Sequence, residues 1–184
     1  MISGKLVGLD PLDSEDLEIL RHWRNNPNFR QYFREYREIS KDMQTEWYKR
    51  TLNDKSTLMF SVRRLSDGAL LGCCGLCYIN WVNRNADLSL YIGYDDLYID
   101  DIGYAEEATQ LLLRYGFYEL GLHKVWTEIY EIDTPKKALY EKLGLRIDGV
   151  LRDNYFHNGS YLNSFMFSIL REDFDAQPWL AAMN

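Results

Sequence analysis

The tightest constraint in this chain lies between residues 86 and 121. Ala86-Asp87-Leu88-Ser89-Leu90-Tyr91-Ile92 alternates strictly, so Ala86, Leu88, Leu90 and Ile92 fall on one strand face and Asp87, Ser89 and Tyr91 on the other. A loop from Gly93 to Ile102 then leads into the longest helix, about Tyr104 to Glu119, which stops at Gly121. An alternating strand feeding a long helix suits a compact α/β domain.

The flanking segments extend that frame. Lys5-Leu6-Val7-Gly8-Leu9 alternates as a first strand, and Asp10-Pro11 turns the chain into a helix capped by Ser14, with Leu17, Leu20 and Trp23 or Arg24 along one face. Asn25-Asn26-Pro27 stops it, an aromatic and Arg-rich stretch runs from Phe29 to Arg37, and Ser40 caps a second helix carrying Met43, Trp47 and Leu52. Leu58 to Leu65 and Ala69 to Ile79 read as antiparallel strands joined at Asp67-Gly68, a pair that supplies the positive φ of a tight hairpin. Lys124 to Tyr130 is a further strand, and Thr134 to Leu143 is a helix closed by Gly144. Two last strands flank His157-Asn158-Gly159, and Glu172 to Asn184 reads as a short amphipathic tail helix.

With 184 residues, no repeat and no linker-like tract, residues 1–184 are expected to form one domain. Hydrophobic residues at 46% and aromatics at 15% suffice for a buried core. A formal charge of −7 argues against a nucleic-acid backbone as partner, since phosphate binding needs concentrated Lys and Arg. No run approaches the ~20 apolar residues of a membrane span. Three cysteines, Cys73, Cys74 and Cys77, without a leader-like start point to a reducing cytoplasm. Cys74 and Cys77 form a C-x-x-C, but no second pair accompanies them, and the surrounding strand pattern reads them as small apolar residues with no metal to hold.

Where the long helix opens, unpaired backbone N–H groups and the helix dipole favour an anion, and Gly103 and Ala105 are small enough for one to approach. Gly103-Tyr104-Ala105-Glu106-Glu107-Ala108 resembles the pyrophosphate loop of the GNAT N-acetyltransferases. The resemblance continues in register through Ile129 to Asp133, Ala138-Leu139-Tyr140-Glu141-Lys142-Leu143-Gly144-Leu145, Asp148 to Asp153, His157 to Tyr161 and Ser168 to Phe174, where it is closest to the RimJ/RimL-type branch. It covers roughly residues 4 to 175. The branch includes enzymes acting on ribosomal-protein N-termini, polyamines and amino sugars.

The resemblance implies an α/β (α+β) acyl-CoA N-acyltransferase fold, a mostly antiparallel mixed sheet of about seven strands flanked by about four helices. Its fourth and fifth strands, here Ala86–Ile92 and Lys124–Tyr130, splay apart, and the pantetheine arm of acetyl-CoA fills the gap like an added strand. It further implies that backbone groups of Leu90, Tyr91 and Ile92 meet the acetyl and pantetheine portions, that Ile102, Gly103, Tyr104 and Ala105 hold the pyrophosphate, and that Asp133 stands in the cofactor site where the family usually has Asn. Tyr140 matches the phenol that protonates the departing thiolate. Asp87 matches an acidic position suited to accept the proton of an amine that must attack as the neutral base. Arg24, Arg30, Tyr32 and Trp47 fall on the acceptor side, with the acceptor a small-molecule or peptide amine.

Each of these positions has a structural reading as well. Tyr140 fits the core face of a short helix, and Asp87 fits a solvated strand face. Arg24 and Arg30 fit surface salt bridges, and Tyr32 and Trp47 fit core packing. Asp100 and Asp101 replace the Arg or Gln and Gly with which the family loop usually begins. They would repel a pyrophosphate if seated in the cradle, or cap the helix and leave the backbone donors free. A non-catalytic member of the fold, sensing a metabolite or binding a protein, is the alternative that these carboxylates favour. Free sheet edges make a homodimer the expected assembly.

Overall fold

The computed structural model describes residues 1–183, so the final residue of the tail, Asn184, lies outside the described residues. The chain forms strands β1 (Ile2–Ser3), β2 (Val7–Pro11), β3 (Leu58–Arg64), β4 (Leu70–Asn80), β5 (Asn85–Ile92), β6 (Lys124–Tyr130), β7 (Arg146–His157) and β8 (Ser160–Leu170). Helices α1 (Leu17–Asn25), α2 (Pro27–Arg30) and α3 (Lys41–Asn53) precede β3. Helices α4 (Tyr104–Arg114), α5 (Thr134–Lys142) and α6 (Arg171–Asp175) follow β5, β6 and β8.

All eight strands join one sheet in the order β1-β2-β3-β4-β5-β6-β8-β7. Every pairing is antiparallel except β5 with β6. That parallel pairing is confined to Asn85, Ala86 and Asp87 against Lys124, Val125 and Trp126. Beyond it the strands part, and the expected splay is present.

Helices cover both faces of the sheet. On one face Leu88, Leu90 and Ile92 of β5 pack with Leu111, Leu112, Phe117, Leu139 and Tyr140 from the α4 and α5 side. On the other, Tyr91 and Cys73 pack with Leu20, Trp23 and Phe29 from α1 and α2. Two covered faces explain why the polar side of β5 is not a solvated face: Asp87 is only 4% exposed. Both halves of the strand's alternation meet protein.

The cap of α3 and several turns fall where residue chemistry places them, but the expected Ser14 cap does not form: Ser14 lies within a 3₁₀ turn (Ser14–Asp16), and α1 begins after Asp16 with no side-chain cap. Ser40 accepts a hydrogen bond from Met43 N at the start of α3, and Gly68, Gly121, Gly144 and Gly159 take the positive φ of their turns. Other elements also differ from the sequence expectation: a short helix, α2, forms directly after the stop at Asn25-Asn26. Ile2–Ser3 adds an eighth strand. Pro11 ends a strand instead of turning the chain, which proline tolerates at a strand end. Helix α4 passes at Tyr115–Glu119 into a wider π-helical turn. The tail divides into α6 and a 3₁₀ turn at Pro178–Met183.

Helix α4 is tied to the first strands by Glu107. Its carboxylate accepts hydrogen bonds from Lys5 N, Leu6 N and Val7 N at 2.7–2.8 Å, and Gly4 wraps so closely that a Cβ there would lie 2.5 Å from the Glu107 carboxyl carbon. Charge-assisted bonds of this kind are about twice as strong as neutral ones, so the start of α4 is fixed relative to the sheet.

Candidate active site

The site begins where β5 and β6 part. Opposite Asp87, β4 pairs through Cys77 and then breaks register before Asn80, with Tyr78 held at φ 51°. Irregularities of this sort bend a strand and re-aim side chains beside functional sites. Asp87 Oδ2 accepts a 2.6 Å hydrogen bond from Arg34 Nη1, and Arg34 Nε lies 3.6 Å from Glu128 Oε2. Asp87 Oδ1 is buried without a partner. Burial pushes the Asp87 carboxyl above the usual carboxylate range, and Arg34 opposes the shift only in part.

Tyr140 projects from α5 into the core and is fully buried, yet its hydroxyl has no hydrogen-bond partner. Burial raises the phenol well above its ordinary pKa, with the charges of Asp133 and Asp87 adding to the effect, so it stays protonated at any working pH. An unpartnered buried hydroxyl is costly and uncommon. Among the described residues only three buried side-chain atoms lack a partner: Arg24 Nε, Asp87 Oδ1 and Tyr140 Oη. All three belong to residues that the sequence places in the site.

A cavity of about 1090 Å³ opens beside Arg24 and Asp87, lined also by Tyr32, Arg34, Trp47 and Lys136. The Arg24 guanidinium lies 4.1 Å above the Phe33 ring, an arrangement that steadies the cation against the aromatic face. Arg30 is elsewhere. It pairs with Glu38 and lines a second cavity, so its surface salt-bridge reading is the one the structure supports. Tyr32 stacks on Tyr98 with centroids 4.6 Å apart, combining packing with a place in the cavity wall. Cys73, Cys74 and Cys77 lie in β4, and burial pushes the Cys73 and Cys77 thiols up to about 12 and raises the Cys74 thiol well above its ordinary value.

The loop between β5 and α4 departs furthest from expectation. Asp100 turns back on the start of α4: its Oδ1 accepts from Gly103 N at 2.7 Å and Tyr104 N at 2.8 Å, and its Oδ2 accepts from Ala105 N at 2.7 Å. Capping and plugging, posed as alternatives from sequence, are here the same contact, because the cap uses the very donors expected to hold a pyrophosphate. Asp101 and Ile102 are exposed.

Tyr98 fills the wedge itself. Its carbonyl accepts from Ile92 N at 2.9 Å, and its hydroxyl donates to Asp133 Oδ2 at 2.5 Å, so the residue spans from β5 to the start of α5. The Lys136 ammonium sits 5.0 Å above its ring. Asp133 is thereby committed, with Oδ1 capping α5 through Lys136 N at 3.2 Å, and its expected contact with a cofactor is replaced by these two bonds. The expected role of Ile92 N is likewise taken by Tyr98.

Four residues at the site escape sequence reading. Arg34 and Glu128 join Asp87 through contacts spanning 53 and 94 residues, which no local pattern encodes. Tyr98 lies in a loop without periodicity. Lys136 did carry a signal, since it precedes Leu139 and Tyr140 at helical spacing and therefore shares their inward face.

The model of the acetyltransferase (GNAT) domain matches residues 7–146. The chain belongs to the GNAT acetyltransferases. It is 30% identical over 178 residues to the spermidine N(1)-acetyltransferase of Escherichia coli K12, covering 96% of this chain and 92% of that one. A crystal structure of the Vibrio cholerae spermidine N-acetyltransferase in complex with CoA and spermine superposes with a TM-score of 0.84 at 28% identity, covering 92% and 98% of the two chains. A dodecameric structure of the Vibrio cholerae enzyme superposes with a TM-score of 0.79 at 25% identity, covering 94% and 98%. This GNAT chain is thus an acetyl-CoA-dependent N-acetyltransferase, and the non-catalytic alternative is not favoured.

The residues of this GNAT chain fit the donor in kind. Three convergent amides at a helix start hold an anion, the strands part beside them, and Tyr140 offers an unpartnered hydroxyl. The anion held is the chain's own Asp100, so the seat and the diphosphate are matched in chemistry but not simultaneously compatible.

Proposed function

We propose that this chain acetylates a primary amine of a polyamine, as a RimJ/RimL-type acetyltransferase in which residues 1–184 act as one cytoplasmic domain. The observation that carries the reading is Asp87, buried at the strand fork with one carboxylate oxygen held by Arg34 and the other unpartnered. Polyamine enzymes among the relatives support the acceptor class.

Acetyl-CoA supplies an acyl group activated as a thioester. Asp87 Oδ1 takes the proton that the attacking amine sheds, and its raised pKa makes it a better base than an exposed carboxylate. Tyr140 Oη supplies the proton that a departing thiolate needs. Arg34 fixes the Asp87 carboxylate, and Glu128, 3.6 Å from Arg34, adds a second negative group that draws a polycation into the cavity. Arg24 and Trp47 form part of the wall that positions the acceptor.

A thiol-release screen with acetyl-CoA against spermidine, spermine, amino sugars and N-terminal peptides tests the assignment. Release with the polyamines is expected, and release confined to the other acceptors would overturn it. We also propose that two copies associate through β7. This twelve-residue strand has a free sheet edge and exposes Ile147, Val150, Leu151 and Phe156. Sedimentation showing only a 21.8 kDa species would reject the association.

A further inference from the structure

The stretch from Gly93 to Glu107 holds Asp95, Asp96, Asp100, Asp101, Glu106 and Glu107 and no Lys or Arg. A diphosphate arriving there meets several carboxylates and no cation from this segment. The backbone donors that compensate for such a charge elsewhere in the fold are already satisfied by Asp100. Two residues before Asp100, Tyr98 bridges the strand fork from Ile92 N to Asp133 Oδ2, and its ring is covered by Tyr32, Phe29 and Lys136. The same segment therefore occupies both the seat of a diphosphate and the lane beside β5.

We propose that the loop 93–102 is an internal ligand of the donor site, with Asp100 standing in for the diphosphate and Tyr98 for the pantetheine arm, so that acetyl-CoA binds by displacing it. This rests on the acetyltransferase reading above and adds the residue that sets donor affinity. The fully buried, unpartnered Tyr140 hydroxyl is the independent sign that the fork awaits a further polar group, because the loop that fills the fork leaves it unsatisfied.

The loop is built to be released. Asp95, Asp96 and Tyr98 have φ of 49°, 56° and 53°, left-handed values that aspartate tolerates and that strain the bulkier tyrosine. Displacement relieves that strain. The loop begins at Gly93, where the Trp23 indole packs so tightly that an added Cβ would lie 2.0 Å away, and it ends at α4, which Glu107 ties to the sheet. Two fixed ends and a strained middle allow the centre to move while its anchors stay. Donor affinity then reports the difference between two anions competing for one set of amides, and a ligand loses apparent affinity in proportion to the rarity of the open state.

Titration calorimetry with coenzyme A on the full chain, paired with thiol release from acetyl-CoA and spermine, separates the possibilities. Asp100→Ala frees all three amides, and at least a tenfold tighter dissociation constant for coenzyme A is expected. Tyr98→Phe removes only the bond to Asp133 and should give a smaller gain in the same direction. Because the first change also removes a helix cap, circular dichroism melting must show both variants folded at the titration temperature, and the second variant, which keeps the cap, decides the matter if the first unfolds. Tighter binding without polyamine turnover would uphold the displacement and overturn the assigned acceptor. Wild-type turnover with no gain in either folded variant would overturn the displacement alone. Absence of binding by wild type and both variants would overturn both.

Discussion

Replacing Tyr140 by phenylalanine is expected to lower turnover about a hundredfold, the lower end of what one positioned acid or base contributes, while leaving affinity for coenzyme A nearly unchanged. The same substitution should raise the melting temperature, because it removes a buried hydroxyl that has no partner and preserves the ring that fills the core. A tyrosine that served packing alone would give the higher melting temperature with normal turnover. Steady-state kinetics beside a melting curve therefore tell the two roles apart, and full activity in the phenylalanine variant would remove Tyr140 from the chemistry.

Asp87→Asn should have an effect of similar size with a different pH signature. In the native chain the rate falls on the acid side as Asp87 takes up a proton, at a pH above that of an exposed carboxylate, because burial raises its pKa. The amide cannot accept that proton, so the variant turns over appreciably only as the pH rises toward the amine's own pKa, about 10. An acid limb unchanged in the variant would exclude Asp87 as the base.

Stability follows from the same shift with the sign reversed from the usual carboxylate case. The folded pKa of Asp87 lies above the unfolded value of about 3.9, so the folded state binds the proton more tightly. Ionised Asp87 therefore opposes folding above its folded pKa, and the penalty fades as the pH falls toward the unfolded value. The asparagine variant should melt higher than the native chain at neutral pH and equally near pH 4. Arg34, at 42% side-chain exposure, can find water once its partner loses charge.

Much of this was legible in the residues because local physics decided it. The period-2 run at 86–92, the glycine-closed helices, the Asp67-Gly68 hairpin and the Ser40 cap all depend on neighbours within a few positions. Asp87 and Tyr140 were marked by resemblance, and the alternation placed Asp87 opposite the apolar face. What could not be read was which of two local outcomes long-range contacts would select. Asp100 stands out as an anomaly, but whether its carboxylate faces the amides or the solvent depends on a loop conformation with left-handed backbone at Asp95, Asp96 and Tyr98, which local periodicity does not place. Arg34 and Glu128 lie far from Asp87 in sequence. Ile2–Ser3 is too short for periodicity to register, and it exists only because β2 offers an edge.

The three-residue parallel contact between β5 and β6 makes the sheet two rafts riveted at one corner. At about 3.3 Å per residue, the rivet spans roughly 10 Å, and the five residues of β5 beyond its strand pairing with β6 reach roughly 17 Å. A tilt that shifts atoms by half an ångström across the rivet is magnified to nearly an ångström at the mouth, on the lever principle. Small changes in the packing around Ala86, Val125 and Trp126, at the closed end of the fork, would thus set how wide the jaws stand.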